Sequence, residues 1–259
     1  MGIFDGCLIC SDMDGTLCVG TNVCRENIEA IKYFQKNGGR FTVSTGRNYD
    51  YIASEFSDAF KCDDYMITLN GTCIVECGSH RIVWEKRLDT QLCEDVINCA
   101  MKYSGHIARI TLCSYERIEN YDGGNVFSSN KIVIVTQSPD AVKDIRNDLE
   151  FINNGKYSMN QSWDTGLEII PAFSGKGTCI DIFKKIFGGR VHTIVAVGDN
   201  ENDLTMLERA DISYAVENAI DCVKKIASRH TYAVDKGSIA GIVEELEINI
   251  KGSDKIDKN

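Results

Sequence analysis

The N-terminal part of the chain alternates between short apolar runs and longer segments with one apolar face. Short runs bounded by turn residues are typical of buried strands, and apolar residues three or four positions apart indicate helices. The order strand, helix, strand, helix, strand is the pattern of a parallel sheet with crossover helices. We predict strands at residues 7–11, 41–44 and 65–69, and helices at residues 23–37 and 49–60.

The middle of the chain mixes strand-like and helical segments after a hairpin. This mixture predicts a second α/β unit with an antiparallel sheet. The predicted elements are hairpin strands 72–76 and 81–85, helices 91–103 and 138–151, strands 107–113, 131–136, 157–161 and 167–170, and a polar loop at 114–130.

After Pro171 the first pattern returns. The predicted elements are helices 176–187, 202–209 and 238–246, strands 193–197 and 212–216 (the last strand), and a polar tail at 249–259 that is expected to fray. We therefore predict an α/β fold with a Rossmann-like parallel-sheet core, residues 1–73 and 172–259. It carries an inserted α/β domain at residues 74–171.

Polar residues follow three of the predicted parallel strands. Asp12, Thr45 and Asn70 each lie just past the end of a strand. In parallel sheets, ligands bind beyond the carboxyl ends of the strands. We expect these three residues to meet in one crevice, although they are far apart in the sequence.

Two acidic clusters are candidates for a metal site. Asp12 and Asp14 lie two positions apart in a loop, and Asp199 and Asp203 lie one helical turn apart. Paired carboxylates repel each other, and a divalent cation such as Mg²⁺ relieves that repulsion. One carboxylate can then attack as a nucleophile while another transfers protons. A polar turn and a helix-capping loop are the alternative interpretations.

Two further segments carry groups that could bind an anion. Thr45 and Gly46 combine a hydroxyl with backbone N–H groups, although a threonine in this position is often a helix N-cap. Lys176 opens a predicted helix, where its charge opposes the helix dipole. A phosphate held between the ammonium and the helix N–H groups would explain that placement, and a solvated lysine is the alternative.

Composition narrows the classes of function. The net charge is -10, with 38 acidic against 28 basic residues, which argues against nucleic acid because phosphate backbones require a basic surface. The apolar runs are too short to span a membrane, and the N-terminus is too short and acidic for a secretory signal. We therefore expect a cytoplasmic protein without a membrane partner. Its 12 cysteines are expected to be free thiols, several of them buried.

Together and in this order, the motifs resemble those of the haloacid dehalogenase superfamily of phosphohydrolases, specifically its Cof-type branch. The matching segments are Asp12-Met13-Asp14-Gly15-Thr16-Leu17, Thr45-Gly46-Arg47, Lys176-Gly177 and Gly198-Asp199-x-x-Asn202-Asp203. Asn70-Gly71, Glu168 and Val216-x-Asn218-Ala219 also fit the branch. The resemblance covers nearly the whole chain.

The resemblance implies a Mg²⁺-dependent phosphatase acting on small phosphorylated metabolites such as sugar phosphates. Asp12 would form an aspartyl-phosphate, and Asp14 would be the general acid and base. Mg²⁺ would bind the Asp12 carboxylate, the Asp14 carbonyl oxygen and Asp199, with Asp203 nearby. The phosphoryl oxygens would be held by Thr45, Lys176 and Asn202 and by backbone N–H groups around Met13 and Gly46. Such a site would meet the charge of the transferred group with a cation, a lysine and fixed dipoles.

The inserted domain would be the cap that closes over the site and selects the leaving group. Candidate cap contacts with substrate are Arg109, Tyr115, Glu116 and Arg117. Three other functions stay open: a phosphotransferase of the same superfamily, a signalling receiver domain, and a non-catalytic sugar-phosphate binder. We expect a monomer or a weak homo-oligomer.

Overall fold

The computed structural model describes residues 2–256, without the side chains at positions 162 and 253–256. The helices are α1 (Arg25–Lys36), α2 (Tyr49–Glu55), α3 (Thr90–Met101), α4 (Pro139–Ile152), α5 (Lys176–Phe187), α6 (Leu204–Arg209), α7 (Asp221–Ile226) and α8 (Ser238–Ile256). The strands are β1 (Cys7–Ser11), β2 (Cys18–Val19), β3 (Asn22–Val23), β4 (Arg40–Val43), β5 (Tyr65–Thr68), β6 (Cys73–Glu76), β7 (Ile82–Glu85), β8 (Ile107–Cys113), β9 (Ile118–Asn120), β10 (Lys131–Thr136), β11 (Tyr157–Trp163), β12 (Gly166–Pro171), β13 (Thr193–Gly198), β14 (Ile212–Val216) and β15 (Arg229–Thr231).

A five-stranded parallel sheet forms the core, in the order β15-β14-β13-β1-β4. Strand β1 is buried along its whole length between β13 and β4. Because its neighbours run parallel to it, the carboxyl ends of β1, β4 and β13 lie at one edge of the sheet. The predicted fold class, a parallel-sheet α/β core with an additional α/β unit, is confirmed.

The third predicted parallel strand, β5, continues this layer through a parallel bridge between Ser44 and Ile67. The Thr45 N–H also donates to the Ile67 carbonyl at 3.0 Å. The hairpin β6–β7 then pairs antiparallel with β5. The predicted hairpin therefore extends the core layer.

Two hydrophobic clusters fill the molecule. The first contains residues of β1, β4 and β13 and also Cys73, Ile74 and Val75 of the hairpin. The second begins at Leu88 and ends at Ile169. The clusters therefore separate near Leu88, whereas the predicted boundary at residue 74 falls inside the hairpin. The functional division into core and cap stays a prediction.

The second cluster lies between an antiparallel sheet, in the order β11-β12-β10-β8-β9, and the helices α3 and α4. Successive side chains of a strand point to opposite faces. Ile132, Ile134 and Ile169 belong to this cluster with the helices. Lys131 and Glu168 occupy the alternate positions and are also buried, so the opposite face of the sheet is covered as well.

The structure corrects several sequence-based boundaries. The predicted helix 49–60 ends at Glu55, and the predicted loop 114–130 contains β9, which pairs with β8. The short strand β15 extends the parallel sheet beyond β14, which we predicted to be the last strand.

The predicted frayed tail is helical over residues 249–256, because α8 continues to Ile256. Residues 257–259 lie outside the described part of the chain. Helix α8 packs against α1, and the pair Lys251–Glu247 is spaced by one helical turn. Ile250 is partly buried against the first hydrophobic cluster, so the apolar face of α8 extends into the predicted tail.

Candidate active site

Two neighbouring parallel strands bring the acidic motifs together. Asp12 follows β1, and its backbone N–H donates to the Val197 carbonyl in β13 at 2.9 Å. Asp199 comes directly after β13. Parallel pairing therefore places two loops that are far apart in the sequence at the same edge of the sheet.

The carboxylates of Asp12, Asp199 and Asp203 form a cluster in which one oxygen of each lies within 4.8 Å of the others. Asp203 is also the structural support of its loop. Its Oδ2 accepts the N–H groups of Asp199 at 3.0 Å and Asn200 at 3.1 Å. These bonds fix the loop that carries Asp199.

A fully buried ammonium lies between two of these carboxylates. Lys176 Nζ donates to Oδ1 of Asp12 and to Oδ1 of Asp203, both at 2.6 Å. Burial lowers the pKa of Lys176, but the two carboxylates outweigh that effect and hold its pKa above the ordinary value. Lys176 is therefore a permanent cation whose direct partner is the Asp12 carboxylate.

One ammonium does not balance three carboxylates in a buried cluster. Burial raises the pKa of Asp12 well above its ordinary value, and the charges of Asp203 and Asp199 raise it further against the opposing effect of Lys176. Burial and the Asp203 charge raise the pKa of Asp199 to about 6. Because a divalent cation bound by these oxygens would reverse both shifts, the donor set fits Mg²⁺.

Thr16 supports Asp199, a role that our sequence analysis missed. The Thr16 hydroxyl donates to Asp199 Oδ1 at 2.8 Å. Gly15, between Asp14 and Thr16, has φ +87, and a Cβ built there would lie 2.5 Å from Asp199 Oδ2. A side chain at position 15 would push Asp199 away, which explains the glycine. The position of Thr16, two residues after Asp14, is the sequence feature that could have indicated this role.

The Asp14 carboxylate does not belong to the acidic cluster. It accepts the Nε–H of Arg47 at 2.8 Å and also contacts Arg47 Nη2. The Arg47 guanidinium packs over the rings of Tyr51 and Phe56, 5.0 and 5.3 Å from their centroids. Arg47 therefore fixes the acid and base candidate, a contact that the sequence did not indicate. The role of the Asp14 carbonyl oxygen as a metal ligand stays a prediction.

The predicted phosphate-binding residues surround the same place. The Thr45 hydroxyl accepts the Arg47 N–H at 3.1 Å, and Asn202 Nδ2 donates to Asn70 Oδ1 at 3.3 Å. Met13 is buried, and its carbonyl accepts the N–H groups of Leu17 and Cys18, both at 2.9 Å. This tight turn shapes the loop that carries Asp12 and Asp14.

A cleft of about 330 Å³ includes Asp12 and Asp199 in its lining. Its lining consists of Asp12, Asp14, Gly46, Arg47, Asn70, Lys131, Val133, Trp163, Glu168, Asp199, Asn200 and Asn202. Of the three residues predicted to share one crevice, Asp12 and Asn70 line this cleft, whereas Thr45 is buried and is not in its lining. Lys131, Val133, Trp163 and Glu168 come from the antiparallel sheet.

The four residues that we predicted as cap contacts are not in this lining, which consists of described residues. Glu116 instead binds Arg87 at 2.6 Å, and Arg117 lies over the ring of Phe127. The Tyr115 hydroxyl donates to the His80 carbonyl at 3.2 Å, and Arg109 is exposed on β8. Contact of these four side chains with substrate stays a prediction.

A sequence model of the haloacid dehalogenase-like hydrolases matches residues 9–123 and 108–243, which together span most of the chain. The chain belongs to this family. The expected resemblance to the Cof-type branch is confirmed, as is the prediction of a phosphatase of this superfamily.

Similar proteins of this family include two phosphatases of Bacillus subtilis. YcsE, a 5-amino-6-(5-phospho-D-ribitylamino)uracil phosphatase, is 26% identical over 242 residues, covering 92% of this chain and 94% of the relative. YwtE, named for the same activity, is 32% identical over 127 residues, covering 49% of this chain and 43% of the relative. A solved haloacid dehalogenase-like hydrolase from B. subtilis has a TM-score of 0.80 at 19% identity, covering 92% of this chain and 99% of that one.

Within the described residues of this hydrolase, no helix has the length and apolar character that crossing a membrane requires.

The Lys176 ion pairs should dominate the stability of the core. Lys176→Met leaves two buried carboxylates without their ammonium, so we expect the free energy of unfolding to fall by about 3 kcal/mol. Lys184→Met, on the same helix, is the matched control. Its ammonium pairs with Asp211 at 3.4 Å and is half-exposed, so the loss should stay under about 1 kcal/mol. Urea unfolding measures both, and equal losses would contradict this interpretation.

Proposed function

We propose that this hydrolase is a Mg²⁺-dependent phosphatase that hydrolyses small phosphomonoesters through an aspartyl-phosphate on Asp12. The observation that carries the proposal is the contact between Asp12 and the buried ammonium of Lys176, beside Asp199. The ion pair fixes Asp12 at the base of a cleft, and bound Mg²⁺ would offset its raised pKa so that the carboxylate is ionised, as an attacking nucleophile must be.

Asp12 and Asp199 are the residues that would hold Mg²⁺, together with the Asp14 carbonyl oxygen. Asp203 accepts bonds from Lys176, Asp199 and Asn200, so it contributes charge and orientation next to the ion. When bound, Mg²⁺ would neutralise charge on the transferred phosphoryl group. Thr16 keeps the Asp199 carboxylate turned into the cluster.

The groups proposed to bind the phosphoryl oxygens are the Thr45 hydroxyl, the Asn202 amide and the backbone N–H groups near Met13 and Gly46. Lys176 was predicted among them. Because both carboxylate contacts of its ammonium are at 2.6 Å, we assign it first to the orientation of Asp12 and second to the phosphoryl charge.

Asp14 is the proposed general acid and base. Its carboxylate is bound by Arg47 and lines the cleft. To protonate a leaving group, the Asp14 carboxyl group must carry a proton and must exchange Arg47 for the leaving-group oxygen. The approach of that oxygen is thus part of the proposed acid step.

Sugar phosphates and related polyol phosphates are the proposed substrate class. YcsE and YwtE act, by their names, on a phosphorylated ribityl compound. The cleft lining contains the carboxylate of Glu168, the ammonium of Lys131 and the indole of Trp163, a set of groups that suits a hydroxylated leaving group. We propose that residues 74–171 form the cap that selects this group, and that residues 1–73 and 172–259 perform the chemistry.

A phosphotransferase of the same superfamily is the second candidate, since an aspartyl-phosphate can pass its phosphoryl group to an acceptor other than water. Release of inorganic phosphate without an added acceptor separates the two activities.

The twelve free cysteines, most of them buried or half-buried, support a reducing compartment, and we propose the cytoplasm.

Replacement of the nucleophile should abolish turnover without unfolding the protein. Asp12→Asn keeps the volume and removes the attacking charge, so phosphate release should fall by at least about 10³-fold. Asp181→Asn, an exposed carboxylate paired with Arg209, is the control and should leave the rate unchanged. Retention of one tenth of the activity in Asp12→Asn would rule out Asp12 as the nucleophile.

Mg²⁺ should stabilise the protein more at pH 7.5 than at pH 5. The pKa of Asp199 is about 6, above its ordinary value of 3.8, so the folded protein binds a proton between these values that the unfolded chain does not. Without a cation, stability therefore falls as the pH rises through that window. Mg²⁺ replaces the proton above pH 6.

Thermal melting with Mg²⁺ or with a chelator, at both pH values, measures this difference, and phosphate release should stop in the chelator. Asp199→Asn is the control that should lose the Mg²⁺-dependent rise in Tm. Equal rises at both pH values, or full activity without metal, would contradict the proposed metal site.

A further inference from the structure

A buried ion pair from the antiparallel sheet lies at the cleft. Lys131 Nζ and Glu168 Oε1 are 2.6 Å apart, and the two side chains are 7% and 5% exposed. Lys131 lies on β10 and Glu168 on the adjacent strand β12. Since burying two charges costs free energy that their attraction does not always return, stability alone is a weak reason for this pair.

One series of hydrogen bonds from this pair leads to Thr45. Lys131 Nζ donates to the Gly46 carbonyl at 3.0 Å. The N–H of the same peptide group, that of Arg47, donates to the Thr45 hydroxyl at 3.1 Å. An ammonium on the carbonyl polarises the peptide and strengthens its N–H as a donor. The Thr45 hydroxyl consequently becomes a better donor toward an anion.

A second series of hydrogen bonds from this pair leads to Asn202. Glu168 Oε2 accepts the Nδ2–H of Asn70 at 2.6 Å. A carboxylate accepts only, so this bond fixes which end of the Asn70 amide faces Asn202. Asn70 Oδ1 then accepts from Asn202 Nδ2 at 3.3 Å. The Asn202 amide is thereby held in one orientation by a charge in the antiparallel sheet.

We propose that Lys131 is a positioning residue for the phosphate site: its ion pair with Glu168 orients Thr45 through Gly46 and Asn202 through Asn70. This inference rests on the proposed function, which places Thr45 and Asn202 on the phosphoryl group. The high-affinity phosphate site is then complete only while the antiparallel sheet lies against the core.

Another contact between the same two parts of the molecule provides a matched control. Arg146 of α4 lies 3.7 Å from Glu201, which also accepts the Gln161 N–H at 3.1 Å. This contact joins the antiparallel unit to the loop after β13. Among the described residues, the side chains of this pair form hydrogen bonds with Glu150 and Gln161, and neither bond leads to Thr45 or to the Asn202 amide.

The experiment compares Lys131→Met, the double variant Lys131→Met/Glu168→Gln and the control Arg146→Met in the full chain with Mg²⁺. The double variant removes both charges, so it leaves no unpaired buried charge that could unfold the protein. The measured quantities are the inhibition constant of inorganic phosphate, and KM and kcat for p-nitrophenyl phosphate. Circular dichroism and the Mg²⁺-dependent rise in Tm establish that each variant is folded with its acidic cluster intact.

For both Lys131 variants we expect the inhibition constant and KM to rise on the order of tenfold, with a much smaller change in kcat. Arg146→Met should keep the wild-type constants. Wild-type phosphate affinity in the folded double variant would overturn the inference, and so would an equal loss in Arg146→Met. Absence of Mg²⁺-dependent phosphate release from the wild type would instead refute the proposed function, so the two failures are distinguishable.

Discussion

The buried ammonium of Lys176 holds the negative charge of the active site in place. It binds Asp12 and Asp203 at 2.6 Å each, and these two carboxylates would otherwise be buried without a counter-charge. The compensation is incomplete, because Asp199 adds a third carboxylate and its pKa is raised to about 6. The remaining negative charge is what the proposed divalent cation would neutralise, and with that cation the cluster would accept a phosphoryl group.

Parallel strand pairing and the alternation of side chains along strands position the rest of the site around this cluster. Parallel pairing of β1 with β13 aligns the carboxyl ends of the strands, so that Asp12 and Asp199 meet although they are far apart in the sequence. Alternation along β10 and β12 buries Ile132 and Ile169 under the helices and directs Lys131 and Glu168 to the cleft. In the proposed function, the core supplies the reacting carboxylate, and the antiparallel sheet supplies the ion pair that orients Thr45 and Asn202.

The sequence was sufficient for the parallel-sheet core and the acidic motifs because short apolar runs that end in aspartate, threonine or asparagine follow from rules of local structure. It was insufficient to predict pairs of side chains that only the tertiary structure brings together. The pairs Arg47–Asp14 and Lys131–Glu168 join different elements, and neither has a spacing that predicts it. Helix α8 is longer than its composition suggested, and the contact of Ile250 with the first hydrophobic cluster is also non-local.

The central claim is that the carboxylates of Asp12 and Asp199 share one divalent ion beside Lys176. Crystals grown with Mn²⁺ in place of Mg²⁺ test it directly, because anomalous scattering locates the ion. We expect one ion bound by both carboxylates, with metal–oxygen distances of about 2.2 Å. An ion bound elsewhere, or none between these two residues at saturating Mn²⁺, would contradict the account.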